Sequence, residues 1–373
     1  MSIEIVPVHT KNEMTQFIKF PWKIYSGNPN WVPPLLSEQK KMFSKQRSPF
    51  FEHSDAEFFL AKRNGEITGR IAAIKNNNHL KVYNDGVGFF GFFEAINDRE
   101  TAHALFEKAA AWLKKQGLKY IRGPENYSQN ETAGLLIDAF DQPPVIEMTY
   151  NPPYYIDLIE SAGFKKKMDL YAYSIKDVND IPNRLARAVK KIRKSADFTV
   201  REINMKKLDE DVKRVKLVYN AAWAENWGAV PLTDNEIEDL KNNLKPVIIP
   251  DMALIAEIDG NPVGVSFTIP DINEALIKLR SGRLFPFGIF KLLWYNRKIT
   301  GTRTVIMGVL KEHRHKGIDI VFYYETFKNG LRRGFNKGEM SWILENNLHM
   351  RRALEKIYGT HIAKTYRLFE KEM

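Results

Sequence analysis

The sequence predicts an α/β protein built from two similar halves. Three observations predict it. Short apolar runs of strand length alternate with amphipathic stretches of helical period along the 373 residues. Ordered segments of the first half recur in the second at a nearly constant offset. Residues 304 to 319 read as a strand, a charged glycine turn and a helix, which together suit an anion.

In chain order, Ile3–Val8 reads as a strand and Lys11–Tyr25 as a helix. Ala56-Glu-Phe-Phe-Leu-Ala-Lys-Arg-Asn-Gly65-Glu-Ile-Thr-Gly69 reads as two strands about an Asn-Gly turn, a strong hairpin signal. Val87–Phe93 is an apolar strand. The loop after it, Glu94-Ala-Ile-Asn-Asp98-Arg-Glu100-Thr-Ala, has no glycine and sets carboxylates where a phosphate would sit. Asp98 suits an N-cap and Glu100 the helix dipole, so this half is not expected to hold an anion there. Leu118–Arg122 is the next strand. Roughly 25 irregular residues follow, Tyr127–Tyr150, long enough for a cleft wall or a surface elaboration. With Asn126 just before it, this stretch carries Asn130, Glu131, Asp138 and Asp141. The half closes on Leu158-Ile-Glu-Ser-Ala-Gly163-Phe164, a helix ending at glycine.

Residues 184–194 place six cations among Leu185, Ala188, Val189 and Ile192 at helical spacing. A linker helix packed by its apolar stripe accounts for this; contact with nucleic acid or acidic lipid is the functional alternative. Thr199–Ile203 and Asp209–Trp223 then repeat the opening strand and helix. Gly65 and Gly69 recur 195 residues later as Gly260 and Gly264 of the hairpin Asp251–Gly264, and Asn151–Gly163 recurs at 196 as Asn347–Gly359. A tandem duplication follows, with expected boundaries 1–180, a basic linker helix 181–194, and 195–373. The second half carries an extra aromatic segment, 276–298, with basic flanks. It admits burial against the first half, contact with a hydrophobic substrate, a membrane surface, or a second subunit.

The strand Val305, Ile306, Met307, Val309 feeds the turn Arg314-His315-Lys316-Gly317 and the helix Ile318–Leu331. The first N–H groups of a helix lack intrahelical partners and its dipole adds positive charge. Gly317 permits close approach of a phosphate, and the three preceding side chains add donors. After the turn 333–338 come a strand Met340–Glu345, Asn346-Asn347, a helix Met350–Lys356 ending near Gly359, and a strand Ile362–Phe369.

Val309 followed by Arg314-x-x-Gly317-x-Asp319 resembles the signature of the GNAT superfamily of acyl-CoA N-acyltransferases. The resemblance implies that each half is a mixed twisted central sheet flanked by helices. It further implies that the backbone of Met307, Gly308 and Val309 pairs with pantetheine. The loop Arg314, His315, Lys316, Gly317, Ile318 and Asp319, with Asn347, would then hold the coenzyme. Three departures stand out: Lys311 replaces the usual Pro, Asp319 puts a carboxylate beside the pyrophosphate, and Leu354 replaces the Tyr that protonates the departing thiolate. Tyr358 is the nearest phenol, one helical step out of phase. Glu345, ending a strand beside the cleft, is the candidate base.

Composition bounds the rest. A hydrophobic content of 44% suits sizeable cores, and two domains fit the length. The absence of cysteine excludes disulfides, thiolate zinc sites and a cysteine nucleophile. No His-Glu-x-x-His, Gly-x-Ser-x-Gly or Walker motif occurs, and no metal is expected. The amino terminus does not read as a signal peptide, and no apolar run reaches the roughly 18–20 residues of a membrane helix, so a cytoplasmic protein is expected. The net charge of +11 belongs to residues 181–373, which hold 34 Lys and Arg against 23 Asp and Glu. That field favours polyanions, whether coenzyme A, an acidic carrier protein or nucleic acid, and does not choose among them.

The expected function is acyl transfer from acetyl-CoA or a longer acyl-CoA to an amine by direct attack. The open alternatives are an aminoacyl-tRNA-dependent transferase of Fem type and a non-catalytic acyl-CoA-binding protein. No specific nucleic acid is expected as a partner, and self-association stays open.

Overall fold

The structure, a computed structural model, describes residues 3–357 and 359–373, the backbone alone at residue 357. Tyr358, a candidate from the sequence, lies outside the described residues. In chain order the first elements are β1 Glu4–Pro7, α1 Lys11–Lys19, α2 Pro21–Ile24, α3 Leu36–Met42, β2 Asp55–Arg63, β3 Glu66–Lys75 and α4 Asn77–Tyr83. Next come β4 Val87–Ala95, α5 Arg99–Lys115, β5 Tyr120–Gly123, β6 Glu125–Asn126, β7 Thr132–Ala133, β8 Leu135–Leu136, α6 Tyr155–Ser161 and β9 Lys165–Ile175. They are followed by α7 Asn183–Ile192, β10 Thr199–Glu202, α8 Leu208–Trp223, α9 Asp234–Leu244, β11 Ala253–Ile258, β12 Asn261–Pro270 and α10 Asn273–Leu276. The chain ends with α11 Gly288–Asn296, β13 Gly301–Val309, α12 Ile318–Arg332, β14 Lys337–Leu344, α13 Leu348–Ile357 and β15 His361–Glu372.

The chain divides into two units. The first comprises Met1–Leu170, Ala275–Arg297 and Lys364–Met373; the second comprises Tyr171–Glu274 and Lys298–Ala363. The aromatic segment and the last residues therefore fold with the first unit.

In the first unit, β1, β2, β3 and β4 pair antiparallel in that order, β4 and β5 pair parallel, and β15 pairs antiparallel with β5. One sheet face buries Phe59, Ile71, Phe90 and Phe369 against Leu105, Phe106 and Leu113 of α5 and Leu158 of α6. The other buries Phe58, Leu60 and Phe89 against Phe17 of α1, Phe43 and Tyr127. Each such side chain contributes roughly 1.5–3 kcal/mol on burial.

The second unit repeats this plan. β10, β11, β12 and β13 pair antiparallel, and β13 pairs parallel with β14. α8 covers one face through Val215 and Val218 on Ile255, Val265 and Phe267. α12 covers the other through Ile318 and Phe322 on Leu254 and Ala256. The two hairpin turns correspond residue for residue. Asn64 and Gly65 have φ of 54° and 80°, and Asp259 and Gly260 have φ of 48° and 76°, the left-handed pair that Asn-Gly and Asp-Gly turns supply. α7 packs by its apolar stripe, with Leu185 and Val189 buried against Tyr173, Val321 and Tyr323, while Arg184, Arg187, Lys190 and Lys191 face solvent.

Candidate functional site

The site begins with a divergence of two strands in the second unit. β13 and β14 are in register only from Gly301↔Lys337 to Thr304↔Met340. β13 continues to Val309 while still paired with β12 as far as Gly264↔Val309. Its pairing with β12 shifts by one residue at Val305, between Phe267↔Ile306 and Thr268↔Thr304. Such a bulge bends a strand and leaves backbone groups on its free edge unpaired. The result is a wedge with Val305–Val309 on one side and Ser341–Leu344 on the other. Met307 and Val309 turn their backbone groups toward its open edge, while Gly308 between them pairs with Val265 of β12.

Trp223, the last residue of α8, closes one face of the wedge. It stacks on Tyr219 with ring centroids 4.6 Å apart, and a Cβ on Gly308 would come within 2.1 Å of its indole. Residue 308 must therefore be glycine for the ring to lie there. Sequence reading missed Trp223; the signal available was a glycine inside an apolar strand, which marks a close approach.

The loop beyond β13 is a 3-10 turn, Lys311–Lys316, leading to Gly317 at φ 76°. The Arg314 guanidinium donates from Nε to the Val309 carbonyl at 3.2 Å and from an Nη to the Ala222 carbonyl at 2.9 Å. It thereby ties the wedge strand to the end of α8. Lys316 pairs with Asp197, Lys311 donates to Glu225 at 2.7 Å, and His315 is exposed. A Cβ on Gly317 would lie 2.7 Å from Ile192 of α7, so the end of the basic helix roofs the turn. Asp319 turns its carboxylate onto the backbone N–H groups of Ile320 and its own residue, and burial raises its pKa above the ordinary value against those hydrogen bonds.

Glu345 and Asn347 follow β14. Arg351 donates to the Glu345 carbonyl at 2.8 Å, and Asn347 caps α13 by accepting from the Met350 N–H at 3.2 Å. Leu354 is wholly buried with Val321 and Met340, so an aliphatic core residue stands where the resemblance places a phenol.

The corresponding gap in the first unit is filled by its own chain. β4 and β5 are in register only from Val87↔Tyr120 to Phe89↔Arg122, and β6 lies beyond them. The Phe92 N–H donates to Asn126 Oδ1 at 2.7 Å, and a Cβ on Gly91 would come within 2.3 Å of the Glu125 carbonyl. Asp98 caps α5, accepting from the Thr101 N–H at 2.9 Å, and Arg63 bonds both Asp98 and Glu100. Glu94 lies in β4 rather than in the loop. It is half-buried, accepting from Tyr25 at 2.9 Å and Tyr155 at 2.8 Å, with Arg70 at 3.7 Å. Within the insertion Asp138 accepts from the Thr365 N–H at 2.7 Å, and Asn126, just before it, donates to Thr132 at 2.7 Å.

The sequence is 38% identical over 372 residues to Protein YghO of Escherichia coli (strain K12), covering 97% of this chain and 94% of that one. It is 35% identical over 379 residues to a bacterial ceramide synthase of Caulobacter vibrioides (strain NA1000 / CB15N), covering 100% and 98%. The chain belongs to the family of these two proteins. No protein-family model matches it. Its fold is the tandem GNAT fold. A tandem GNAT protein from the clavulanic acid biosynthesis pathway superposes with a TM-score of 0.57 at 12% identity, covering 100% of this chain and 98% of that one. A GCN5-related N-acetyltransferase from Sphaerobacter thermophilus does so at 0.51 and 14%, covering 99% and 95%. The described residues contain no group of three or more His, Cys, Asp or Glu that could hold a metal ion, and no helix long and apolar enough to cross a membrane.

Proposed function

We propose that this chain is a lipid-forming N-acyltransferase that joins a fatty acyl group, delivered as a thioester, to the primary amine of a long-chain amino alcohol. The strand divergence at Thr304 and Met340 carries the acyl-transfer reading. It offers an extended backbone edge to the pantetheine arm, beside a glycine turn at the head of a 15-residue helix. The whole-length relation to a bacterial ceramide synthase supports the amine class, since a ceramide is the amide of a fatty acid and a long-chain base.

In this reading the amine nitrogen attacks the thioester carbonyl carbon. Backbone N–H groups of Met307–Val309 stabilise the developing oxyanion, the C–S bond breaks, and the thiolate leaves. Glu345 takes the amine proton. Gly317, Ile318 and the turn Arg314–Lys316 hold the coenzyme phosphates, with acyl-CoA as donor and an acyl carrier protein as the alternative. The site of action is the cytoplasm, where acyl-CoA is made.

The test incubates the full chain with palmitoyl-CoA or acetyl-CoA and sphinganine, following thiol release and amide by mass spectrometry. The expected result is N-palmitoyl product and coupled thiol release. Absence of amide with both donors, with the coenzyme still bound, would leave a binding protein in place of an enzyme.

A further inference from the structure

We propose that residues 283–297 form a membrane-surface anchor that seats the first unit on an anionic bilayer. Phe285, Phe287, Phe290, Leu293 and Trp294 are 76%, 74%, 68%, 57% and 60% exposed. Other exposed large apolar side chains, such as Val82, Met205 and Leu217, are scattered along the chain, whereas these five fall within ten residues. Phe290, Leu293 and Trp294 stand at i, i+3 and i+4 of α11 and so share one face. Phe285 and Phe287 extend the apolar surface just before the helix.

The root of the segment is firmly built. Arg280 donates to the carbonyls of Asn28 at 3.1 Å, Pro29 at 2.9 Å and Trp31 at 2.9 Å. Trp22 Nε1 donates to the Arg280 carbonyl and the Leu36 N–H to the Gly282 carbonyl, each at 2.9 Å. Leu276 and Leu279 are buried beneath. A rigid root therefore holds five large apolar side chains out into water, an unfavourable arrangement unless something covers them.

Charge selects the cover. From Ala275 to Arg297 the chain has five cations, Lys278, Arg280, Arg283, Lys291 and Arg297, and no carboxylate. Four of them are not engaged as Arg280 is, and all four are exposed. Aromatic side chains ringed by Lys and Arg match the boundary between acyl chains and anionic headgroups. A second copy of the chain fits poorly, because a two-fold contact would set these cations against one another in a chain already at +11. Membrane seating stands apart from the acyl-transfer reading, and it places the chain where a lipid amine resides.

The experiment is flotation of the full chain with vesicles of phosphatidylcholine alone, or of phosphatidylcholine and phosphatidylglycerol in equal parts. It includes the variants Phe287→Ser/Phe290→Ser/Trp294→Ser and Lys291→Glu/Arg297→Glu. Wild type should float with the anionic vesicles, with binding weakened by salt. Each variant, melting like wild type, should bind at least about tenfold less. Failure of wild type to bind anionic vesicles, or undiminished binding by the serine variant, overturns the proposal. So does a dimer that the serine changes break while vesicles go unbound, which would make a second copy the occupant.

Discussion

Trp223 occupies the space that any side chain on Gly308 would need, its indole 2.1 Å from where a Cβ would stand. The ring is stacked on Tyr219 and cannot swing aside like the tip of a flexible chain. Gly308→Ala should therefore destabilise the chain by roughly 1–3 kcal/mol. Thermal melts of the single and paired variants check this: Trp223→Ala/Gly308→Ala should lose less than the sum of the two single changes. Additive losses would show that the ring and the glycine are uncoupled.

Arg314 and Arg99 occupy comparable places after the fourth strand of each repeat but have different partners. Arg314 fastens β13 to α8, while Arg99 pairs at the surface with Asp157 at 2.7 Å. Arg314→Glu should weaken acyl-CoA binding at least tenfold, about 1.4 kcal/mol, with Arg99→Glu within twofold of wild type. Calorimetric titration with palmitoyl-CoA measures both, and equal losses would argue against binding at the second unit alone.

Asp319 sets a carboxylate at the head of α12, where a phosphate would compete for the same N–H groups. Desolvation raises its pKa, so it takes up a proton at a higher pH than a free Asp. Asp319→Asn should tighten coenzyme A binding several-fold at pH 8, by about 0.5–1 kcal/mol of relieved repulsion. The gain should shrink as the pH falls and the wild-type carboxyl protonates. Titrations at two pH values decide it.

Glu125 gives a pH dependence of stability. Burial pushes its pKa from 4.5 to about 8, with the Arg122 charge pulling the other way. A folded pKa above the unfolded one means that the stability contributed is complete below about pH 4.5 and is lost as the pH rises through about 8. Glu125→Gln should be close to neutral at pH 5. It should exceed wild type by about 1 kcal/mol or more at pH 9, read from urea midpoints.

Leu354 leaves no phenol at the usual position of the thiolate acid. A thiol pKa near 8.5 makes the thiolate a tolerable leaving group, so turnover should be slow rather than absent. Glu345→Gln should lower kcat by about 10²–10⁴-fold if its carboxylate is the base. Tyr358→Phe should cost less than about tenfold. A hundredfold loss from the tyrosine change, with folding intact, would make that residue the acid.

By itself the sequence determined what short-range forces decide. The repeat was legible because Asn64-Gly65 and Asp259-Gly260 impose the same left-handed turn at corresponding places. The strand, glycine turn and helix of residues 305–331 were legible from periodicity and from the missing N–H partners of a helix start. Asp98 as a cap followed from its position alone. Tertiary structure decided the rest, because each such feature depends on groups far apart in sequence. The register of β13 with β14 stops at Thr304, and Arg314 spends two donors on carbonyls 5 and 92 residues away. Trp223 reaches Gly308, and Glu125–Asn126 fills the gap beyond β4 and β5 in the first unit. The aromatic segment folds back on residues 28–36, with its largest side chains outward. Periodicity ranks residues by how well they bury; which partner covers them is set by chain closure over hundreds of residues, where local pattern has no reach.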